Sequence, residues 1–190
     1  MIAELVAKNR SRRRFDESVA VDENMLRELV DMARLTASAA NFQPLRYMLS
    51  WTKDKNDRIF PNLAWAGYLK EWPGPAEGER PAAYVFLLLD KERAHAADFD
   101  AGIAAQTILL GAVEKGLGGC IIGSVNRKAM RDDFGIPARY DIIFAIALGK
   151  PVETVIIDEV GPNGDIRYWR EADGTHHVPK RHLDDLILPL

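Results

Sequence analysis

The sequence contains almost no cysteine and no segment that suits a membrane. Cys120 is the only cysteine among 190 residues, which excludes an intramolecular disulfide framework and favours a reducing compartment. No apolar run is long enough to cross a bilayer, and residues 1–10 contain Glu4 and no signal-peptide core. We therefore expect a soluble, untargeted, cytoplasmic protein that does not bind membranes.

An excess of positive charge is also missing. The 25 basic residues are outnumbered by 28 acidic ones, for a net charge of −3, which excludes the overall positive field of a general nucleic-acid binder. Any anion-binding patch must therefore be local. The apolar fraction of 47% is typical of a globular chain, and the length predicts one domain over residues 1–190.

Hydrophobic periodicity predicts an α+β fold in which helices alternate with strands. Helical spacing covers a short N-terminal segment up to residue 9, a segment capped by Asp22 that runs to about residue 37, and residues 101–115 and 127–134. Strand patterns cover residues 45–51, 82–89, 120–122 and 141–148. We expect a mixed central sheet flanked by helices.

Two segments lack a clear period. Residues 53–80 mix charges, prolines, glycines and aromatic residues, which predicts short helices and a mobile flap. Residues 150–190 contain few periodic runs, which predicts an arm-like C-terminal segment.

A dense basic segment follows the first helix. It reads Asn9-Arg10-Ser11-Arg12-Arg13-Arg14-Phe15. Guanidinium groups make paired, charge-assisted hydrogen bonds to phosphate oxygens, so the segment suits a phosphate. A solvated run of charge, or a local nucleic-acid patch, explains the same residues about as well when the segment is taken alone.

The basic segment resembles the phosphate-binding signature Arg-Arg-Ser-x-Arg-x-Phe of the FMN-dependent nitroreductase family, with Asn9 in place of the first arginine. The resemblance implies that Arg10, Ser11 and Arg13 contact the phosphate and ribityl chain of flavin mononucleotide (FMN). The candidates to replace the missing arginine are Arg12 and Arg14.

A turn before the first strand is similar to a second motif of that family. Residues 37–44 read Ala-Ser-Ala-Ala-Asn-Phe-Gln-Pro, and the family motif is Pro-Ser-x-x-Asn-x-Gln-Pro. The resemblance implies that Ser38, Asn41 and Gln43 reach the flavin from the partner subunit. The alternative is an Asx turn that satisfies only its own backbone.

A glycine-rich stretch is similar to a third motif. Residues 116–123 read Gly-Leu-Gly-Gly-Cys-Ile-Ile-Gly, and the family motif is Gly-Leu-Gly-x-Cys-x-Ile-Gly. The resemblance implies that backbone groups of Ile122 and Gly123 lie against the flavin ring, and a glycine permits such close approach. A tight turn in the core is the alternative. The stretch lacks dinucleotide-binding spacing, and we interpret Cys120 as a buried structural cysteine.

The C-terminal segment supplies further candidates. In the family a basic residue near the C-terminus returns to the flavin phosphate, which the resemblance assigns to Lys180 or Arg181. His176 and His177 raise the question of a metal, but adjacent residues on a strand point to opposite faces and no cysteine accompanies them. We therefore expect no metal site.

The resemblance extends from Asn9 to Arg181 and implies a function. It implies that NADH or NADPH reduces bound FMN, and that a nitroaromatic, a quinone or a similar small acceptor reoxidises it in a ping-pong cycle, with no catalytic side chain required. It also implies an intertwined homodimer whose C-terminal arm wraps the partner. The aromatic residues that either wall the substrate cavity or simply pack in the core are Phe42, Trp65, Tyr68 and Trp72.

Two other functions fit the same sequence. The scaffold suits other flavin chemistry, such as reductive dehalogenation, flavin reduction for a partner, or ring dehydrogenation. A non-enzymatic domain that binds nucleic acid or another anion through residues 10–14 belongs to a different class, and the acidic balance of the chain disfavours it.

Overall fold

The chain alternates helices and strands, as the hydrophobic pattern predicts. The structure is a computed structural model and describes residues 1–189. Within that range the α-helices are α1 (Ile2–Lys8), α2 (Glu23–Arg34), α3 (Lys53–Ile59), α4 (Asp98–Glu114) and α5 (Arg127–Phe134). The strands are β1 (Phe15–Asp16), β2 (Leu45–Ser50), β3 (Ala83–Asp90), β4 (Gly118–Ile122), β5 (Tyr140–Pro151), β6 (Val155–Glu159), β7 (Trp169–Arg170) and β8 (His176–Lys180).

The long strand β5 organises the central sheet. It pairs with β3, β4 and β1, and β2 forms an edge of the sheet beside β3. The α+β class is confirmed. Within residues 1–189 the strands of this sheet pair antiparallel, and a parallel contact is added by the isolated bridge between Ser11 and Gly119.

Both faces of the sheet are buried. Along β3, Val85 and Leu87 pack into a core that contains α2 and α4, whereas Tyr84 and Phe86 pack into a second core on the opposite face. Successive side chains of a strand point to opposite faces, so the apolar run of β3 supplies both cores. The sequence prediction of a strand covered on both faces is confirmed.

Two element ends differ from the prediction. Helix α2 ends at Arg34 rather than near residue 37, because the Thr36 hydroxyl donates a hydrogen bond to the carbonyl of Ala33 at 2.7 Å. Strand β5 continues to Pro151 rather than stopping at Leu148, because its last residues pair with Phe15 and Asp16 of β1.

The C-terminal region contains a second sheet that periodicity did not predict. Strands β6 and β8 pair in parallel, and β7 pairs with β8 antiparallel. The partners β6 and β8 are separated by residues 160–175, which contain β7, so no hairpin joins them directly. The predicted arm is therefore partly folded back on its own chain.

The segment predicted as a flap contains α3 and a short 3-10 helix over Phe60–Asn62, in agreement with the short helices expected there. In residues 1–189, no helix is both long enough and apolar enough to cross a membrane.

Candidate functional site

The basic segment runs in extended conformation beside β4. Ser11 forms the parallel bridge with Gly119, and the Arg12 amide donates a hydrogen bond to the Gly119 carbonyl at 2.9 Å. In an extended chain, alternate side chains point to opposite sides. Ser11 and Arg13 therefore share one side, and Arg12 points to the other.

Ser11 and Arg13 line a cleft of about 310 Å³ between the basic segment, α4, β4 and the C-terminal sheet. This volume lies at the lower end of the range of small-molecule sites. The lining residues are Asn9, Arg10, Ser11, Arg13, Gln106, Leu109, Gly119, Ile121, Tyr168, His176, Val178 and Lys180. We call this the basic cleft.

The basic cleft is positively charged. Its lining includes Arg10, Arg13 and Lys180 but no carboxylate. Within residues 1–189 none of these three cations forms an ion pair. The Arg10 guanidinium donates to the carbonyls of Val6 and Asn9 at the end of α1, which leaves part of its donor set for a ligand. The cleft therefore suits an anion.

The other arginines of the segment are structural. The Arg12 guanidinium donates to the Glu153 carbonyl at 2.5 Å, and burial lowers the pKa of Arg12. Arg14 forms two hydrogen bonds with the Glu79 carboxylate, which raise the pKa of Arg14 and lower that of Glu79. Arg12 and Arg14 were the candidates to replace the missing arginine, and neither of them lines the basic cleft.

Glu153 anchors the segment from behind. Its carboxylate accepts a hydrogen bond from the Arg13 amide and pairs with Arg170 at 3.1 Å. The Glu153 side chain is fully buried, and the Arg170 guanidinium lies 4.4 Å above the ring of Trp72. Sequence reasoning missed Glu153 because a lone acidic residue after β5 carries no local pattern.

A cluster from the C-terminal sheet contacts Arg13. Arg13 Nη1 lies 3.4 Å from His176 Nε2, and the Arg13 guanidinium lies 5.2 Å from the centre of the Tyr168 ring. The rings of Tyr168 and His176 are 5.2 Å apart. Burial, followed by the charges of Arg13 and Arg170, lowers the pKa of His176 to about 4, so this imidazole is neutral near pH 7.

The residues of β4 point alternately toward the basic cleft and toward the core. Ile121 is exposed and lines the basic cleft, whereas the side chain of Ile122, whose backbone was predicted to contact the cofactor, packs in the core with Cys120. Gly123 is exposed, and a Cβ added there would meet no atom within 4 Å. Burial raises the pKa of Cys120 to about 12, which agrees with its interpretation as a structural cysteine.

The predicted turn lies outside the basic cleft. Ser38 and Gln43 line a different cavity of about 200 Å³, and the Ser38 hydroxyl accepts a hydrogen bond from the Gln43 amide at 3.0 Å. Asn41 and Gln43 adopt left-handed φ angles of 55° and 48°, which non-glycine residues rarely adopt. Within this single chain, Ser38, Asn41 and Gln43 do not join the arginines.

The four aromatic candidates also lie outside the cleft lining. Trp65 packs in the core against Phe60, and Trp72 lies under Arg170. Phe42 and Tyr68 are half-exposed. Tyr68 alone reaches the cleft region, because its ring lies 4.9 Å from Tyr168 and its amide donates to the Tyr168 hydroxyl at 3.2 Å.

Of the two C-terminal basic candidates, only Lys180 lines the cleft. Arg181 instead donates to the carbonyl of Asp185 at 2.7 Å and lines a separate cavity. Adjacent residues at the end of β8 diverge, which explains the separation. No cluster of three or more potential metal ligands occurs within residues 1–189.

Several cleft residues were not predicted. Asn9 donates to the Gln106 side chain at 3.3 Å and so ties α1 to α4 beside the cleft. Gln106 is a polar interruption of the apolar pattern of α4, and that signal was available in the sequence. Tyr168 and Val178 carried no such signal.

The fold and the cleft together define a class: α+β proteins with a positively charged cleft beside a central sheet. The chain belongs to the nitroreductase family, since residues 6–150 match the model of that family. The strands β6, β7 and β8, which carry His176 and Lys180, lie beyond the matched residues.

Individual relatives agree with this assignment. The chain is 28% identical over 166 residues to an NADPH-flavin oxidoreductase of Vibrio harveyi, covering 78% of this chain but only 65% of that relative. A nitroreductase-like protein of Streptococcus mutans has the same fold, with a TM-score of 0.68 at 15% identity over 80% of this chain and 89% of the other. A nitroreductase of Exiguobacterium sibiricum, solved in complex with FMN, gives a TM-score of 0.67 at 18% identity with the same coverage.

Proposed function

We propose that the chain is an FMN-dependent oxidoreductase and that the basic cleft holds the phosphate of the cofactor. The observation that carries the proposal is the set of three cations, Arg10, Arg13 and Lys180, around the Ser11 hydroxyl, with no carboxylate in the lining. A phosphate monoester carries close to two negative charges near pH 7, and guanidinium and ammonium groups are its usual partners.

The neighbouring surface supports a ring system beside the phosphate. Ile121 supplies an exposed apolar contact on β4, and Gly123 follows that strand with open space where a Cβ would stand. A planar ring can therefore approach the backbone there. FMN would supply the hydride-accepting chemistry when bound, and the protein would bind and orient it.

NADH or NADPH is the proposed reductant, and a small electron acceptor is the proposed second substrate. The Vibrio harveyi relative is named an NADPH-flavin oxidoreductase, which supports a nicotinamide as electron donor. We propose that donor and acceptor occupy one cavity in succession, in a ping-pong cycle. In that arrangement neither substrate needs a separate binding motif or a catalytic side chain.

We further propose a homodimer in which the turn at residues 38–43 completes the partner's site. The separation of Ser38, Asn41 and Gln43 from the basic cleft within one chain supports this arrangement. Exposed apolar residues also support it, because exposed apolar surface favours association. They are Phe99 and Ile103 on α4, and Leu183, Leu186, Ile187 and Leu188 near the C-terminus.

Steady-state kinetics test the proposed reaction. Protein loaded with FMN is mixed with NADH or NADPH and one acceptor at a time: a nitroaromatic, a quinone or free flavin. Turnover of a nitroaromatic or quinone with parallel-line initial-rate plots supports the proposal. If free flavin is the only acceptor that is turned over, the assigned reaction becomes flavin reduction. If the protein oxidises neither NADH nor NADPH, the proposed function is overturned.

A further inference from the structure

We propose that His176 is a positioning residue for the cofactor phosphate, and that it acts by holding the Arg13 guanidinium toward the basic cleft. The inference rests on the proposed function. It concerns a residue of β8 that lies outside residues 6–150, which match the family model.

The geometry assigns the roles of the two groups. Arg13 Nη1 and His176 Nε2 are 3.4 Å apart. Guanidinium is only a donor, so a hydrogen bond between these atoms requires Nε2 as the acceptor and the ring proton on Nδ1, which is buried and has no hydrogen-bond partner within residues 1–189. His176 is 1% exposed, and such a buried ring has few alternative orientations.

The interaction requires a neutral imidazole. A protonated ring could not accept from Arg13 and would repel it, whereas the buried environment keeps His176 uncharged near pH 7. Arg13 has no ion-pair partner within residues 1–189, so its full charge is available to an anion. A carboxylate in place of His176 would also hold Arg13, but it would cancel that charge.

Tyr168 supports the same orientation. Its ring lies under the Arg13 guanidinium and beside the ring of His176. A guanidinium over an aromatic face keeps its edge free for hydrogen bonds. From behind, the Arg13 amide is fixed by Glu153. The side chain of Arg13 is thus directed by its backbone, an aromatic face and two neutral acceptors, which are the His176 ring and the Ser11 carbonyl, each 3.4 Å from Arg13 Nη1.

The test compares FMN with riboflavin, which has the same ring and lacks the phosphate. Affinities are measured by flavin fluorescence on apoprotein of the wild type, His176→Phe, His176→Gln and the control His177→Phe. Phenylalanine keeps the buried ring without the acceptor, and glutamine restores an acceptor near the Nε2 position. His177 is the neighbouring residue on β8, contacts Asp158 and Trp169, and does not line the cleft.

We expect His176→Phe to weaken FMN binding about tenfold, the size of a lost hydrogen bond to a charged group, and to leave riboflavin binding unchanged. His176→Gln should recover most of the loss, and His177→Phe should bind FMN like the wild type. In a double-mutant cycle, adding His176→Phe to Arg13→Ala should have almost no further effect on FMN affinity, because the two residues act as one unit.

Three results would overturn the inference alone: equal weakening of FMN and riboflavin by His176→Phe, unchanged FMN binding, or additive effects of His176→Phe and Arg13→Ala. Absence of FMN binding by the wild type is a separate outcome. It would overturn the proposed function and this inference with it.

Discussion

The carboxylate of Glu153 accepts a hydrogen bond from the backbone N–H of Arg13, so a buried acidic residue after β5 fixes the backbone of the basic cleft. The same carboxylate pairs with Arg170, and the Glu153 carbonyl accepts from Arg12. One acidic residue thus organises three arginines while staying outside the cleft lining.

Glu153→Ala should destabilise the fold. It leaves Arg170 without its buried partner, and loss of one member of a buried ion pair costs about 3 kcal/mol or more. Urea unfolding followed by circular dichroism measures the change. The control Glu171→Ala removes an exposed carboxylate 3.3 Å from His177, and should change stability by less than about 0.5 kcal/mol. Equal effects of the two substitutions would show that Glu153 has no anchoring role.

Lys180→Ala and Arg181→Ala form a matched pair of neighbours. Lys180 lines the basic cleft and Arg181 does not, so only Lys180→Ala should weaken FMN binding, by about tenfold. Riboflavin binding should not distinguish the two variants. Fluorescence titration provides the measurement, and a larger loss for Arg181→Ala would contradict the assignment.

Substitution of Gly119 should affect the stability of the fold, whereas substitution of Gly123 should affect flavin binding. A Cβ at Gly119 would lie 2.3 Å from the backbone carbonyl oxygen of Ala147 and 2.9 Å from Leu148, so Gly119→Ala should cost about 1–3 kcal/mol of stability. A Cβ at Gly123 meets nothing within 4 Å.

Gly123→Ala should therefore unfold at nearly the wild-type urea concentration while it weakens flavin binding, if the ring lies against this backbone. Wild-type affinity for both FMN and riboflavin in Gly123→Ala would remove Gly123 from the site. Wild-type stability of Gly119→Ala would contradict the packing of β4 against β5.

The stability of the protein should depend on pH through His176. Its pKa is lowered to about 4 in the folded chain from 6.5. Between these values the unfolded chain binds a proton that the folded chain does not, so the free energy of unfolding falls as the pH drops. The fall is at most about 1.4 kcal/mol per pH unit.

His176→Phe lacks this titration, which allows a comparison with the wild type. The stability advantage of the wild type over His176→Phe should shrink between pH 6.5 and pH 4.5, as measured by urea unfolding at several pH values. A constant difference over that range would mean that His176 is not buried in its neutral form.

Much of the fold was predictable from the sequence because its signals are local. The continuous apolar run of β3 predicts a strand buried on both faces, and Asp22 marks the start of α2 through its side-chain cap on Met25. The parallel pairing in the C-terminal sheet was not predictable in this way. This pairing joins β6 to β8 across a long connection, and no turn or periodic pattern in the sequence predicts such a contact.

The candidate site was predictable only in part, for a similar reason. The basic segment can be recognised from its composition. The side to which each of its residues points depends on the bridge between Ser11 and Gly119. Consequently Ser11 and Arg13 face the cleft while Arg12 does not. The contacts of Arg13 with Glu153, Tyr168 and His176 come from residues more than a hundred positions away.

The most direct test of the proposed function is equilibrium binding of FMN to the purified chain. The apoprotein is titrated with FMN, and flavin fluorescence and visible absorbance are followed to saturation. We predict a yellow protein that binds one FMN per chain, more tightly than riboflavin, with an affinity that Arg13→Ala reduces. A colourless protein that takes up no FMN would show that the proposed function is wrong.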